Sequence, residues 1–148
     1  MAGYSPTPTA RKLGIGPEGS VHLVGAPAGW SVPDLPDGVT VTGAGHVDAA
    51  AGAAAVVIGF VRSAAEVEPL VAGAAPEIWP DRILWVAWPR RAGGHRSDVT
   101  DEVVRAAALP IGLVDTKVAA IDEDWSGLKV VWRVERRAAR PSGPGSGT

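Results

Sequence analysis

The residues best placed to do chemistry are the basic run Pro89-Arg90-Arg91-Ala92-Gly93-Gly94-His95-Arg96. Its arginines offer forked donors that match phosphate or carboxylate, and Gly93-Gly94 lets the loop close around a small anion. The competing reading is a solvated loop at the end of a strand, the commoner fate of short charge clusters. Two further segments follow apolar runs: Gly25-Ala26-Pro27-Ala28-Gly29-Trp30, and Arg62-Ser63. In open parallel sheets ligands bind beyond the carboxyl ends of the strands, so these segments are expected on one edge. The candidate ligand-binding residues are therefore Gly25, Trp30, Arg62, Arg90, Arg91, His95, Arg96 and Trp125. Trp30 and Trp125 would make an aromatic wall, with plain packing as the favoured alternative. Trp125 in particular reads as the buried anchor of a polar turn.

No residue is assigned a catalytic role. Asp122-Glu123-Asp124 could supply a general base, yet acidic turns between strands are commonplace. Ser63 and Ser126 lack a recognisable base partner, and no G-x-S-x-G elbow occurs. His22 falls inside a strand, His46 in a glycine-bearing loop and His95 in the basic loop, with no ligand spacing among them, so neither metal nor cofactor is expected. Trp85 and Trp88, three apart on a strand, point to opposite faces. One is expected to fill the core and the other to be exposed at an edge.

Composition narrows the classes. The 148 residues carry a formal net charge of −2 and 46% hydrophobic residues, enough for one domain with a real core. A general nucleic-acid binder would be basic. The absence of cysteine excludes disulfides, thiolate metal sites and a Cys nucleophile. No signal-peptide-like run is found, and nothing approaches the ~18 apolar residues of a membrane span. A cytoplasmic protein is expected, with a small anionic ligand or a protein as partner and neither nucleic acid nor membrane. The Ala, Gly, Pro and Arg bias suggests a GC-rich bacterial genome.

The elements that must position these groups can be read in order. Residues 1–6 read as a loose arm, and Thr7-Pro8 as the cap and first position of a short helix ending at Gly14. Val21–Gly25 and Val39–Gly43 read as strands. The apolar run Ala54–Val61 has the composition of a strand covered on both faces. Ser63-Ala64-Ala65-Glu66 has capping-box spacing before a helix carrying Val67, Leu70, Val71, Ala74 and Ile78, which Pro69 is expected to kink or shorten. Arg82–Trp88 is a third long strand. Ser97, Asp98 or Thr100 caps the helix bearing Val103, Val104, Ala107 and Ala108. Asp115–Ile121 and Leu128–Val134 form a hairpin across 122–127. Residues 136–148 read as a disordered tail behind a single domain over 1–135.

Strand–helix–strand alternation closed by an antiparallel hairpin predicts an α/β fold. Its sheet is mostly parallel, small and Rossmann-like, in the manner of the second half of a methyltransferase fold. The first half is trimmed. About nine residues, 30–38, join the first two strands, too few for a crossover helix.

Two resemblances follow. YSPTPTARKLGI, ILWVAWPRR and LPIGLVDTKVAAIDEDWSGLKVVWR together resemble a bacterial family, common in actinobacteria, described only as a domain of unknown function. The resemblance covers nearly all of the chain except the tail, and implies a small Rossmann-like domain with no established activity, cofactor or catalytic residue. LGIGPEGSVHLVGAPAG is more distantly similar in rhythm to the first motif of S-adenosylmethionine-dependent methyltransferases. It departs at Leu23, where that motif is acidic, and at Ala26-Pro27, where it has a small residue and glycine. Gly43-Ala44-Gly45-His46 stands where an acidic residue would grip the ribose. Proline lacks an N–H and fixes φ, so the loop after the first strand cannot act as a glycine-rich cradle. The expected function is a non-enzymatic binding or accessory protein, the alternative an atypical methyltransferase or other nucleotide-using enzyme.

Overall fold

The computed structural model describes residues 9–47 and 49–138. The expected arm, the Thr7-Pro8 helix start and the tail beyond 138 lie outside them. Helix α1 (Thr9–Lys12) is stopped by Gly14, whose φ of +91° is left-handed, a conformation glycine adopts without cost. Strands β1 (Ser20–Val24), β2 (Thr40–Ala44), β3 (Val56–Phe60), β4 (Ile83–Pro89), β5 (Leu113–Ala120) and β6 (Trp125–Trp132) form one sheet, ordered β2-β1-β3-β4-β6-β5. The first four are mutually parallel. β6 is antiparallel to both β4 and β5, so β5 runs with the parallel set.

The connections explain the directions. Helix α2 (Val67–Ile78) carries the chain from β3 to β4, and α3 (Asp101–Ala108) from β4 to β5. Among the described residues no helix lies between β1 and β2, so that parallel step is made by turns alone. The capping box at Ser63–Glu66 is formed, and leads α2 through a short 3-10 turn. Pro69 does not kink α2: it sits in the first turn, where its missing N–H would have had no intrahelical acceptor. Thr100 is the residue that caps α3, its Oγ1 accepting from Val103 N at 3.3 Å.

Each face of the sheet has its own core. On one, Leu70, Val71, Ala74 and Ile78 of α2 and Val104 and Ala108 of α3 pack on Leu84, Val86, Leu128 and Trp132. The other is covered by the short helix α1 and loop chain, with Ala10, Leu13, Ile15 and Val32 lying over Val21, Leu23, Ile58 and Trp85. Indole donors tie both layers to the sheet. Trp85 Nε1 donates to Leu13 O at 2.9 Å, and Trp132 Nε1 to Ala75 O at 2.8 Å.

Trp85 and Trp88 do face opposite cores, but neither is exposed: Trp85 is 0% and Trp88 8% accessible. The expected edge exposure of one of them fails because β4 is central, flanked by β3 and β6. The hairpin is also tighter than the 122–127 joint expected. β6 begins at Trp125, because Gly127 has no side chain to collide with Ile121 and Trp85 and so lets the ladder run on. Past β6, Trp79 Nε1 donates to Arg136 O, and Arg137 Nε to Trp132 O, each at 2.9 Å. No helix of the described residues is long and apolar enough to cross a membrane.

Candidate functional site

The carboxyl ends of β1, β3 and β4 meet the β5–β6 turn, and most of the expected residues gather there in two groups. The first lies over the face covered by α1 and loops. Phe60, the last residue of β3, stands edge-on to Trp30 at 4.8 Å and to Trp125 at 4.9 Å. Arg62 lies over the Trp125 ring, Cζ 5.4 Å from its centroid, and its Nη1 donates to Gly25 O at 3.0 Å. Trp30 Nε1 donates to Asp122 Oδ2 at 2.8 Å. With Phe60 6% and Trp125 8% accessible, these rings fill a core edge rather than line a wall.

The acidic turn has a structural task. Asp122 Oδ1 accepts from Asp124 N at 2.8 Å and Trp125 N at 2.9 Å, holding the chain reversal. Its carboxylate therefore has three donors from the protein.

The amides following β3 are likewise occupied. Glu66 Oε1 accepts from Arg62 N at 2.5 Å and Ser63 N at 3.3 Å, and Asp98 Oδ1 from Ala64 N at 2.8 Å. Successive free amides at a helix start form an anion cradle. Here two carboxylates of the chain itself fill that role.

The second group is the basic loop. Arg91–Gly93 makes a 3-10 turn closed by Gly94 at φ +88°. The loop is held against the hairpin by Arg90 N donating to Asp124 O at 2.8 Å. His95 Nε2 pairs with Asp124 Oδ1, also at 2.8 Å. A Cβ on Gly93 would run into the carbonyl oxygen of Glu123, so this contact requires glycine. The side chains of Arg90, Arg91 and Arg96 make neither ion pair nor hydrogen bond among the described residues.

Two clefts open on this edge. One, of about 320 Å³, lies between β1 and β3, where the chain order reverses, and is lined by Gly25, Gly45, His46, Phe60, Glu66 and Leu70. The other, of about 280 Å³, lies between the end of β4 and the start of α3, lined by Trp88, Arg91, His95, Ser97, Thr100 and Ser126.

The expected residues are thus divided. Gly25, Trp30, Arg62 and Trp125 form one connected cluster, whereas Arg91 and His95 line a separate cleft, Arg90 flanks it and Arg96 is exposed. Sequence reasoning missed Phe60, the hub of the aromatic cluster, and Asp98 as an amide cap. Trp88, at the carboxyl end of its strand and so on the expected edge, is not among the candidate residues and lines the second cleft. His22, 1% accessible, sits with its Nδ1 2.6 Å from Thr42 Oγ1, away from either cleft. Among the described residues no group of three or more His, Asp or Glu is placed to hold a metal ion. Comparison with protein-family models, curated proteins and solved structures found no match to this chain.

Proposed function

We propose that this chain is a non-enzymatic binding or accessory protein built on a Rossmann-like, methyltransferase-like frame with a trimmed first half. Membership of the actinobacterial family resembled by its sequence, and a bacterial cytoplasmic setting, belong to the same proposal. The frame is supported by strand order β2-β1-β3-β4-β6-β5 with one antiparallel strand. The loss of cofactor use is supported by a single observation. The groups that would face a nucleotide at the carboxyl ends of β1 and β3 are spent within the chain, Glu66 and Asp98 on the amides of residues 62–64 and Arg62 on Gly25 O.

A second reading, an atypical S-adenosylmethionine-dependent methyltransferase or other nucleotide-using enzyme, is favoured by the cleft between β1 and β3. That is where open α/β sheets bind ligands, and its volume of about 320 Å³ lies at the small end of the usual range of roughly 300–1,000 Å³. Its polar groups are few. Glu66 is engaged as a cap, and Gly45, His46 and Val47, directly after β2, offer no carboxylate to accept from a ribose. Unpaired buried hydroxyls lose about 1–3 kcal/mol each, so affinity for a nucleoside would be low. Calorimetric titration with S-adenosylmethionine and its demethylated product separates the readings. Heats absent up to millimolar ligand are expected, and micromolar binding would establish the second.

A further inference from the structure

The cleft between β4 and α3 carries an unfilled set of donors. Trp88 is 8% accessible, but its Nε1 is not one of the buried polar atoms left without a partner, so this N–H reaches solvent and is open to a guest. The indoles of Trp30, Trp79, Trp85 and Trp132 each donate within the chain, whereas those of Trp88 and Trp125 have no acceptor among the described residues. Of the last two, Trp88 lines the cleft. Beside it stands Arg91, likewise without a carboxylate partner. The hydroxyl of Ser126, directly across the ladder from Trp88, and those of Ser97 and Thr100 complete the wall. Ser97 Oγ accepts from Val99 N and donates to Arg62 O, and Thr100 Oγ1 accepts from Val103 N, whereas the Ser126 hydroxyl has no partner among the described residues and is the freest to exchange bonds with a guest.

Charge selects the class. Unpaired arginines give the rim a positive potential, but Asp101 also lines the cleft and Glu102 follows it in the first turn of α3. These carboxylates oppose a dianion more than a monoanion. A volume of about 280 Å³ lies just below the usual range of roughly 300–1,000 Å³ for ligand pockets, which favours a small metabolite.

We propose that this cleft binds a small hydroxyl-bearing monocarboxylic acid, its carboxylate on the Arg91 fork and its hydroxyls on Trp88 Nε1 and Ser126 Oγ. The proposal rests on the binding-protein reading above and names its ligand class. Its test is a titration of the ¹⁵N-labelled full chain with glycerate and with gluconate, reading the tryptophan indole resonances, with Trp88→Phe supplying the assignment. The Trp88 signal shifts and saturates while the other indole signals hold still, and glycerol leaves it unmoved. Arg91→Ala, on an exposed side chain, weakens the titration about tenfold or more, as loss of a charged hydrogen bond should. No Trp88 shift with either acid, an equal shift in Arg91→Ala, or tighter binding of inorganic phosphate overturns the proposal. None of these outcomes touches the binding-protein reading, which fails only if S-adenosylmethionine binds or the acid is turned over.

Discussion

Replacing Trp125 with alanine tests whether the aromatic cluster is a stabilising edge of the core. The substitution removes an indole 8% accessible, perpendicular to Phe60 at 4.9 Å and 5.4 Å beneath the Arg62 guanidinium. Truncating a large core aromatic costs about 3–5 kcal/mol. Within that, the edge-to-face pair contributes about 1 kcal/mol. The cation–π contact adds roughly 0.5–1 kcal/mol, the low end of its range, because Arg62 is exposed. The remainder comes from lost buried area and the cavity left beneath Trp30 and Phe60. In a chain of this size each kcal/mol moves the midpoint by about 2–4 °C, so a fall of about 10 °C or more is expected in thermal unfolding followed by circular dichroism. Arg62→Ala is the control. It loses only the cation–π contact and the bond to Gly25 O, about 1–2 kcal/mol together. An unchanged melting temperature for Trp125→Ala, or an equal loss in both variants, would refute the reasoning.

Asp122→Ala removes the acceptor for Trp30 Nε1, Asp124 N and Trp125 N, and should cost about 1–3 kcal/mol in urea unfolding, with Asp122→Asn costing less. Gly93→Ala pushes the basic loop off the Glu123 carbonyl; a loss of about 1–3 kcal/mol, with faster exchange of the Arg90 amide, is expected by hydrogen-exchange NMR. Arg105, hydrogen-bonded to Asp115 at 3.0 Å and to Asp101 at 3.4 Å, has its pKa raised, the Asp115 bond being the largest cause. A raised folded-state pKa gives stability fully present below the unfolded value and lost only as pH climbs through the folded one. The unfolded value already lies in the strongly alkaline range, so deprotonation of Arg105 should give no slope to a stability profile at neutral and mildly alkaline pH. The profiles of wild type and Arg105→Met should therefore run parallel there.

The sheet was largely legible because its signals are local. Apolar runs such as Ala54–Val61 mark strands buried on both faces, and the lengths of the connections dictate direction. The capping box at Ser63–Glu66 and the Thr100 cap are written within four residues. What escaped depends on neighbours far along the chain. One of Trp85 and Trp88 reads as an edge residue until β6 is placed beside β4. The cover of the second face by Leu13, Ile15 and Val32 follows no helical or strand period. Pro69 reads as a helix breaker until the helix start is fixed two residues before it. At the site, glycine, arginine and tryptophan at strand ends pointed to the right edge. The division into two groups could not be read, because it rests on Trp30 reaching Asp122 and His95 reaching Asp124, contacts 92 and 29 residues apart.

The central claim is that the amides after β3 are held by the chain's own carboxylates and are closed to a cofactor. The backbone amide resonances of Arg62, Ser63 and Ala64 report on it directly during titration with S-adenosylmethionine. The account predicts that all three stay in place up to about 1 mM ligand, the regime of negligible affinity. Saturating shifts of these amides at micromolar ligand would mean that Glu66 and Asp98 give way to a nucleotide, and would contradict it.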